Sequence, residues 1–370
     1  MINNAISTTQ EGLRVVIAGG GIAGLSLARA LKNAGHDPLV IERNRKWPTT
    51  GTADYLPANA VRALDQLGLG EAVAAVAHPI GRQKVTGASG RTLVDLPVSS
   101  IWGEGASCVA IRHNTLHELL AAATSEVCIR LGTTIAARLR DGEIELSDGS
   151  VLHYDVLVGA DGGGSVVRTA GLGGSEPRYS GRWCWRFIAD GWDGEDDTWH
   201  ARLASGRSLV TVPLGEGDVF CYADIASGNG RPPGDWRDYF DDFDKSITDL
   251  LARAGQAYGT PITEVDQPYA FLGRTVLIGD AAHAMSPSMA QGVALAVEDA
   301  LVLAETLSSL PVYEALAVYE QRRAPRIAWV RAQAHRRDRT RGMTPVVRDQ
   351  VVRLTGRRLV ADQRAMLAMP

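Results

Sequence analysis

An α/β fold, in which a parallel sheet is interrupted by an antiparallel one, is the architecture this 370-residue sequence predicts. Three observations carry the prediction. Strand-length apolar runs joined by helical stretches occupy both ends of the chain. The middle alternates apolar and polar residues between glycine-rich turns, and the last third reads as long helices. A chain of this length holds two domains, or one large unit with an inserted lobe.

The first unit is the most specific. Residues 14–18 (RVVIA) form a buried-type strand, GGGIAG follows, and LSLARALKNAG reads as a helix ending at Gly35. A second run, 38–42 (PLVIE), stops on Glu42. Gly19-x-Gly21-x-x-Gly24 thus sits between a strand and a helix, the setting of a Rossmann-like βαβ unit that binds a dinucleotide. The glycines permit a tight turn and close approach of backbone to a pyrophosphate, and the helix N-terminus offers partial positive charge. Glu42 lies eighteen residues past Gly24, where a carboxylate binds a ribose hydroxyl pair and disfavours a 2′-phosphate. FAD or NAD fits this site better than NADP.

Helical spacing recurs at 58–67 (ANAVRALDQL) and 114–123 (NTLHELLAAA), and 127–158 reads as short strands with a turn at Asp148-Gly149. Two further apolar strands end on a carboxylate beside glycine. VLVGADGGGSVVR (156–168) places Asp161-Gly162 before a helix start bearing Arg168, and VLIGDAAHAMSPSMAQGVALAVEDA (276–300) places Asp280 before a helix beginning near Gln291-Gly292. Between 179 and 226, RWCWRFIAD, SLVTVPL and DVFCYADI read as an antiparallel sheet, and five of the eight tryptophans (183, 185, 192, 199 and 236) lie there or at its edge. Such aromatics pack a core or wall an apolar pocket. Residues 322–364 hold thirteen arginines against three aspartates, expected as a solvated helical face.

Bulk properties exclude several classes. The net charge of −4 argues against bulk attraction to nucleic acid or anionic membrane, and no apolar run is long enough to span a bilayer. The four scattered cysteines, without a CxxC pair or a cysteine–histidine cluster, suggest no metal and no disulfide framework. Residues 1–12 are polar, lack a signal-peptide pattern and are expected to be a loose tail; the chain is expected in the cytoplasm, as a monomer or homodimer.

Together the Gly fingerprint, GADGGGSVVR, GDAAH…P…QG, LPANAVRAL (56–64), AIRHNTLHELL (110–120), CWR (184–186) and YEQRRAPR (319–326) resemble the class A flavin monooxygenases, the para-hydroxybenzoate-hydroxylase-like family. The resemblance implies an FAD-binding domain over 12–82, 101–176 and 269–340, a substrate-binding antiparallel sheet over 83–100 and 177–268, and a C-terminal helical tail over 341–370. The cofactor-binding residues it implies are Gly19, Gly21, Ile22, Ala23, Gly24, Glu42, Arg43, Arg112, Asp161, Gly162, Asp280, Pro287, Gln291, Gly292 and Val293. Glu42 would bind the adenosine ribose with Arg43 near the adenine. Arg112 would lie along the FAD chain, and Asp280 would hold a ribityl hydroxyl. The helix N-terminus at Gln291 would favour reduced flavin by ~1–2 kcal/mol, on the order of 20–45 mV. For Asp161 a helix cap is compatible with a ligand role. His283 is expected to be structural.

The implied activity is reduction of FAD by NADH or NADPH, capture of O₂ as a C4a-hydroperoxyflavin, and hydroxylation or epoxidation of an aromatic or polycyclic small molecule. Trp183, Trp185, Phe220 and Tyr222 would wall the substrate site, but alternation puts Trp183 and Trp185 on one face and Arg186 on the other. Arg186 either pairs with substrate or snorkels at the sheet edge. Asp54, where relatives mostly carry an apolar residue, is a general base or substrate anchor if it faces the pocket. Ala290 and Ala294 depart from the family's glycine and asparagine, and a methyl at 290 would crowd the flavin or restrict its movement. WCWRFIA also resembles the WxWxIP pattern of flavin halogenases. A halogenase, a flavin-linked reductase and a non-catalytic FAD-binding redox protein are the alternatives.

Overall fold

The computed structural model describes residues 12–49, 51–228, 230–267 and 270–368; the expected loose N-terminal tail lies outside them apart from Gly12. Val15–Ala18 is the centre of a six-stranded sheet. Val156–Gly159 and Thr275–Leu277 run parallel on one side, and Leu39–Glu42 and Cys128–Leu131 run parallel on the other. The edge strand Phe271–Leu272 is antiparallel. The three strands that end on chemistry-bearing residues are therefore close neighbours, which brings Gly19, Asp161 and Asp280 to one end of the sheet.

The second sheet has seven strands, in the order Tyr258–Glu264, Arg178–Ala189, Asp218–Ala226, Arg207–Gly215, Thr198–Ala204, Arg82–Gly87 and Thr92–Pro97. It is antiparallel except where Thr198–Ala204 meets Arg82–Gly87 in parallel. One face carries Trp185, Phe187, Cys221 and Ala223 against the 3₁₀ turn Trp236–Phe240 and the helix Lys245–Arg253. The other presents Val210, Val212, Phe220 and Tyr222 to the first unit. Both faces are thus covered.

The helices Gly292–Ser309 and Val312–Arg341 pack together, the first also lying on Ile22–Asn33. Among the described residues, no helix is long and apolar enough to cross a membrane. The arginine-rich segment departs in part from the expected solvated face: Arg322, Arg336, Arg339, Arg353 and Arg364 are exposed, but four others are not. Arg323, Arg326, Arg341 and Arg348 are buried, and each meets a carboxylate. Their sequence spacing was read as a surface because arginine is rarely buried, but pairing removes most of that penalty. The helix expected after Asp161 is instead a short π-helical turn, Val167–Gly171. There the Asp161 carboxylate accepts N–H bonds from Val166 and Val167, and Arg168 is tied down by three carbonyls.

Candidate active site

A single cavity of about 1560 Å³ joins the two sheets. Its first wall is made mostly of backbone. Each glycine of the fingerprint has a separate reason. A Cβ at Gly24 would stand 1.9 Å from the Gly19 carbonyl oxygen, and one at Gly19 would meet the Ala160 carbonyl oxygen at 2.4 Å. A Cβ at Gly21 would meet nothing within 4 Å, because that position opens on the cavity. The loop is also locked in place. Glu42 accepts the Gly20 N–H at 2.8 Å, and His117 Nε2 donates to the Gly20 carbonyl at 2.8 Å.

Two helix N-termini open on this cavity, at Gly21-Ile22-Ala23 and at Gln291-Gly292-Val293. Neither has a side-chain cap, so the leading N–H groups stay available to a ligand. Gly162, Asp280 and Pro287 complete the wall. A close-approach glycine, two uncapped N-termini and a carboxylate suit a long ligand that carries phosphates and hydroxyls, and FAD fits.

Behind the wall lies a buried ionic network. Asp299 receives the Gly279 N–H at 2.9 Å, His283 Nε2 at 2.6 Å and Arg323 Nε at 2.7 Å. Burial alone would raise its pKa, but the charges of His283 and Arg323 and these hydrogen bonds hold it at about 2. Glu298, one residue earlier, binds Arg326 at 2.7 Å and the Asn59 amide at 3.0 Å. Asn59 in turn holds Gln291 by bonds of 2.8 and 3.2 Å. His283 is therefore a positioning residue for the strand end before Asp280. Asn59, Glu298 and Asp299 were missed as site residues. Two adjacent acids inside an apolar helix were the available signal.

Not every expected cofactor residue reaches the cavity. Gly19 and Gly24 act behind it, Glu42 lies beyond it and accepts the Gly20 and Asn44 N–H groups, one on each oxygen, and Arg43 is exposed. Arg112 pairs with Asp218, and Asp161 caps the Ser165–Val167 turn. Ala290 has φ +50° and ψ +40°, a left-handed conformation that glycine adopts without strain.

The second wall is made of side chains: Gln83, Val94, Leu96, Trp199, Val210, Val212, Phe220 and Tyr222. Trp183 and Trp185 do not belong to it. Strand alternation sends them to the opposite face, where Trp185 stacks on Trp236 and Tyr239 at 5.9 and 6.2 Å between ring centroids. Arg186 has the other parity, lines the cavity and lies 6.0 Å from the centroid of the Tyr222 ring. Burial pushes the Tyr222 phenol well up, so it is a hydroxyl at neutral pH.

Asp54 lines the cavity as well, and its Oδ2 meets His113 Nδ1 at 2.8 Å. The side chains are 25% and 40% exposed, so both are reachable from the cavity. The bond to Asp54 raises the His113 pKa; burial and the Arg186 charge oppose that rise. His113 was missed because pairing across the strands Ala53–Leu56 and Cys108–Arg112 is invisible in a linear reading.

Residues 12–334 match the family model described as FAD binding domain. The chain is 32% identical over 337 residues to 2-heptyl-3-hydroxy-4(1H)-quinolone synthase of Pseudomonas aeruginosa, covering 87% of this chain and 88% of that one. It is 34% identical over 344 residues to aurachin C monooxygenase/isomerase of Stigmatella aurantiaca, covering 86% of each. Klebsiella pneumoniae HpxO, solved with FAD and uric acid, superposes with a TM-score of 0.86 at 22% identity, covering 96% of this chain and 97% of that one. That likeness carries the fold.

Proposed function

The chain belongs to the FAD binding domain family and is an NAD(P)H-dependent class A flavoprotein monooxygenase; from that premise we propose that it oxidises an aromatic or polycyclic small molecule held against the seven-stranded sheet. One observation carries the proposal: the Gly21 cradle and the apolar sheet face open into the same cavity. Its 1560 Å³ exceeds the roughly 300–1000 Å³ usual for a small-molecule site, which leaves room for substrate beside FAD. The named quinolone product of one relative and the apolar wall at Val94, Leu96, Val210, Val212 and Phe220 favour fused rings or a ring with a hydrocarbon tail.

FAD, when bound, would supply the redox chemistry, with NADH or NADPH as the two-electron reductant and O₂ giving one oxygen atom to the substrate and the other to water. The amides at Gly21–Ala23 would hold its phosphates, with Gly19 and Gly24 shaping the turn. Glu42 and Arg43 would serve its adenosine end, Arg112 and Asp161 its middle, and Asp280 a ribityl hydroxyl. Gly162 and Pro287–Val293 would border the ring. Of the substrate wall expected from sequence, Phe220 and Tyr222 stay in the proposal. The apolar wall excludes water from the reacting atoms. Asp54 and His113 would take the proton that an acidic substrate hydroxyl or N–H gives up. With Nδ1–H donating to Asp54, His113 Nε2 is the acceptor. Arg186 would stabilise the charge left on the substrate.

In domain terms, 12–82, 101–176 and 269–340 would form the FAD-binding part, 83–100 and 177–268 the substrate part, and 341–370 a helical tail. A monomer or homodimer in the cytoplasm fits this reading. The test is NAD(P)H consumption in air by the FAD-loaded protein with phenols, indoles, quinolones and polycyclic aromatics, counting peroxide in parallel. Faster consumption with one compound, little peroxide and one added oxygen is the expected result. Consumption that no compound accelerates would sink the reading.

A further inference from the structure

The cavity continues to the last turns of the helix Val312–Arg341, where Gln333, Arg337 and Thr340 line it. The neighbouring Arg336 lines the cavity too but is exposed, whereas Arg337 is tied to the cavity wall and differs from the ion-paired arginines around it. Arg323 and Arg326 meet Asp299 and Glu298, and Arg182 and Arg341 meet Asp224. Among the described residues Arg337 has no carboxylate partner. Its Nη1 donates to the Ser288 carbonyl at 2.9 Å and its Nη2 to Gln363 Oε1 at 3.4 Å. The adjacent Asp338 is taken by Arg341 and the Ser288 hydroxyl.

Arg168 is also held by neutral groups, but carbonyls occupy its Nε, Nη1 and Nη2, and it does not line the cavity. Arg337 does line it and keeps donors in hand, since a guanidinium has five N–H groups. Burial and the like charge of Arg341 push the Arg337 pKa down to about 10, against the pull of Asp338 and Tyr55. The group remains a cation at neutral pH. A desolvated cation without a counter-ion is costly, and a ligand anion would relieve that cost.

We propose that Arg337 anchors an anionic oxygen of the substrate, a carboxylate or the oxyanion of a phenol or enol, as it lies in this cavity. The proposal rests on the monooxygenase reading and deepens it by naming an acidic aromatic as the substrate class. A guanidinium fork suits a paired or single oxyanion. Its tether to Ser288 matters too, because Ser288 belongs to the Pro287–Met289 turn on the cofactor-side wall. A substrate held by Arg337 is thereby oriented relative to that wall.

The test titrates FAD-loaded protein with 3-hydroxybenzoate and 4-hydroxyquinoline-2-carboxylate, each beside its methyl ester, and reads the flavin absorbance change. In the unsubstituted protein at least one acid binds roughly tenfold or more tightly than its ester, as a charge-assisted pair requires. Arg337→Met abolishes that preference while ester binding stays within about twofold, and Arg337→Lys keeps part of it. An acid-to-ester ratio that Arg337→Met leaves unchanged overturns the proposal, as does a panel in which no acid outbinds its ester. Should the Met variant fail to hold FAD, an unchanged ratio in Arg337→Lys overturns it equally. FAD content and flavin reduction by NAD(P)H are measured alongside. Their absence from the unsubstituted protein would refute the monooxygenase reading, whereas a flat ratio with FAD retained refutes only the anchor.

Discussion

The two walls of the cavity are built by different rules. The wall that fits FAD is made of backbone: glycines whose Cβ positions are either forbidden or open, and helix N-termini without side-chain caps. The facing wall is made of side chains on a twisted sheet, where the parity of one residue decides whether it meets the ligand or the far core. Backbone sites need particular residue types at fixed offsets, so they leave a linear signature. A side-chain wall accepts many apolar residues, so it leaves almost none.

Glycine substitutions test the first wall most severely. Gly24→Ala places a methyl 1.9 Å from the Gly19 carbonyl, so that variant is expected to lose FAD and soluble expression together. Gly21→Ala meets open space on the protein side, so it is expected to fold with little change in Tm yet bind FAD at least about tenfold more weakly, the loss of a close phosphate contact. Thermal melts with flavin fluorescence separate the two outcomes. Equal behaviour of the two variants would break the distinction between framing and contacting glycines.

Beneath that wall the ionic network gives the next largest effect. Asp299→Asn removes the carboxylate that His283 Nε2 and Arg323 Nε donate to and leaves Arg323 with Glu298 alone, so a loss of about 3 kcal/mol is expected in urea unfolding. The pH dependence has a definite sign. The carboxyl is held at about 2, below its ordinary 3.8, so its stabilisation is complete above pH ~4 and disappears as pH falls toward 2. The lost portion is on the order of 2 kcal/mol. Asp299→Asn is expected to flatten the acid limb over that window, and an unchanged limb would assign acid unfolding to other groups.

The difference between the walls also sets how far sequence reading reached. The three strand ends, the fingerprint and the helix start at Gly292 were legible because each carries a glycine or carboxylate that the backbone geometry demands. Trp183 and Trp185 were placed on the wrong face, although their parity against Arg186 was readable. What could not be read was which face the 3₁₀ turn Trp236–Phe240 covers, since that contact spans about fifty residues. The Asp54–His113 pair and the buried arginines were hidden for the same reason. Apart from Arg348, which meets its neighbour Asp349, their partners come from other elements, and charge composition alone resembled a solvated surface.

Paired substitutions across the sheet sharpen this point. Trp185→Ala is expected to cost about 3–5 kcal/mol of stability, as a large core deletion, with substrate affinity unchanged in the folded fraction. Phe220→Leu is expected to cost under about 1.5 kcal/mol yet alter substrate affinity, because its side faces the cavity. Titration of both variants with the best-binding aromatic checks the assignment; a change in affinity for Trp185→Ala alone would reverse it.

The smallest effect lies where the backbone wall breaks its own rule. Ala290 holds a left-handed conformation that costs an L-residue roughly 1–2 kcal/mol, against about 0.5–1 kcal/mol of extra chain entropy for glycine. Ala290→Gly is therefore expected to gain no more than about 1.5 kcal/mol in stability. A stability effect this small gives no thermodynamic reason for the methyl, which leaves its place on the cavity lining as the property to examine. If the methyl restrains the flavin, the glycine variant reduces faster with NAD(P)H in anaerobic stopped-flow measurements, even though its Tm scarcely moves. Equal reduction rates would mean that the chain tolerates the strain at Ala290 without using it.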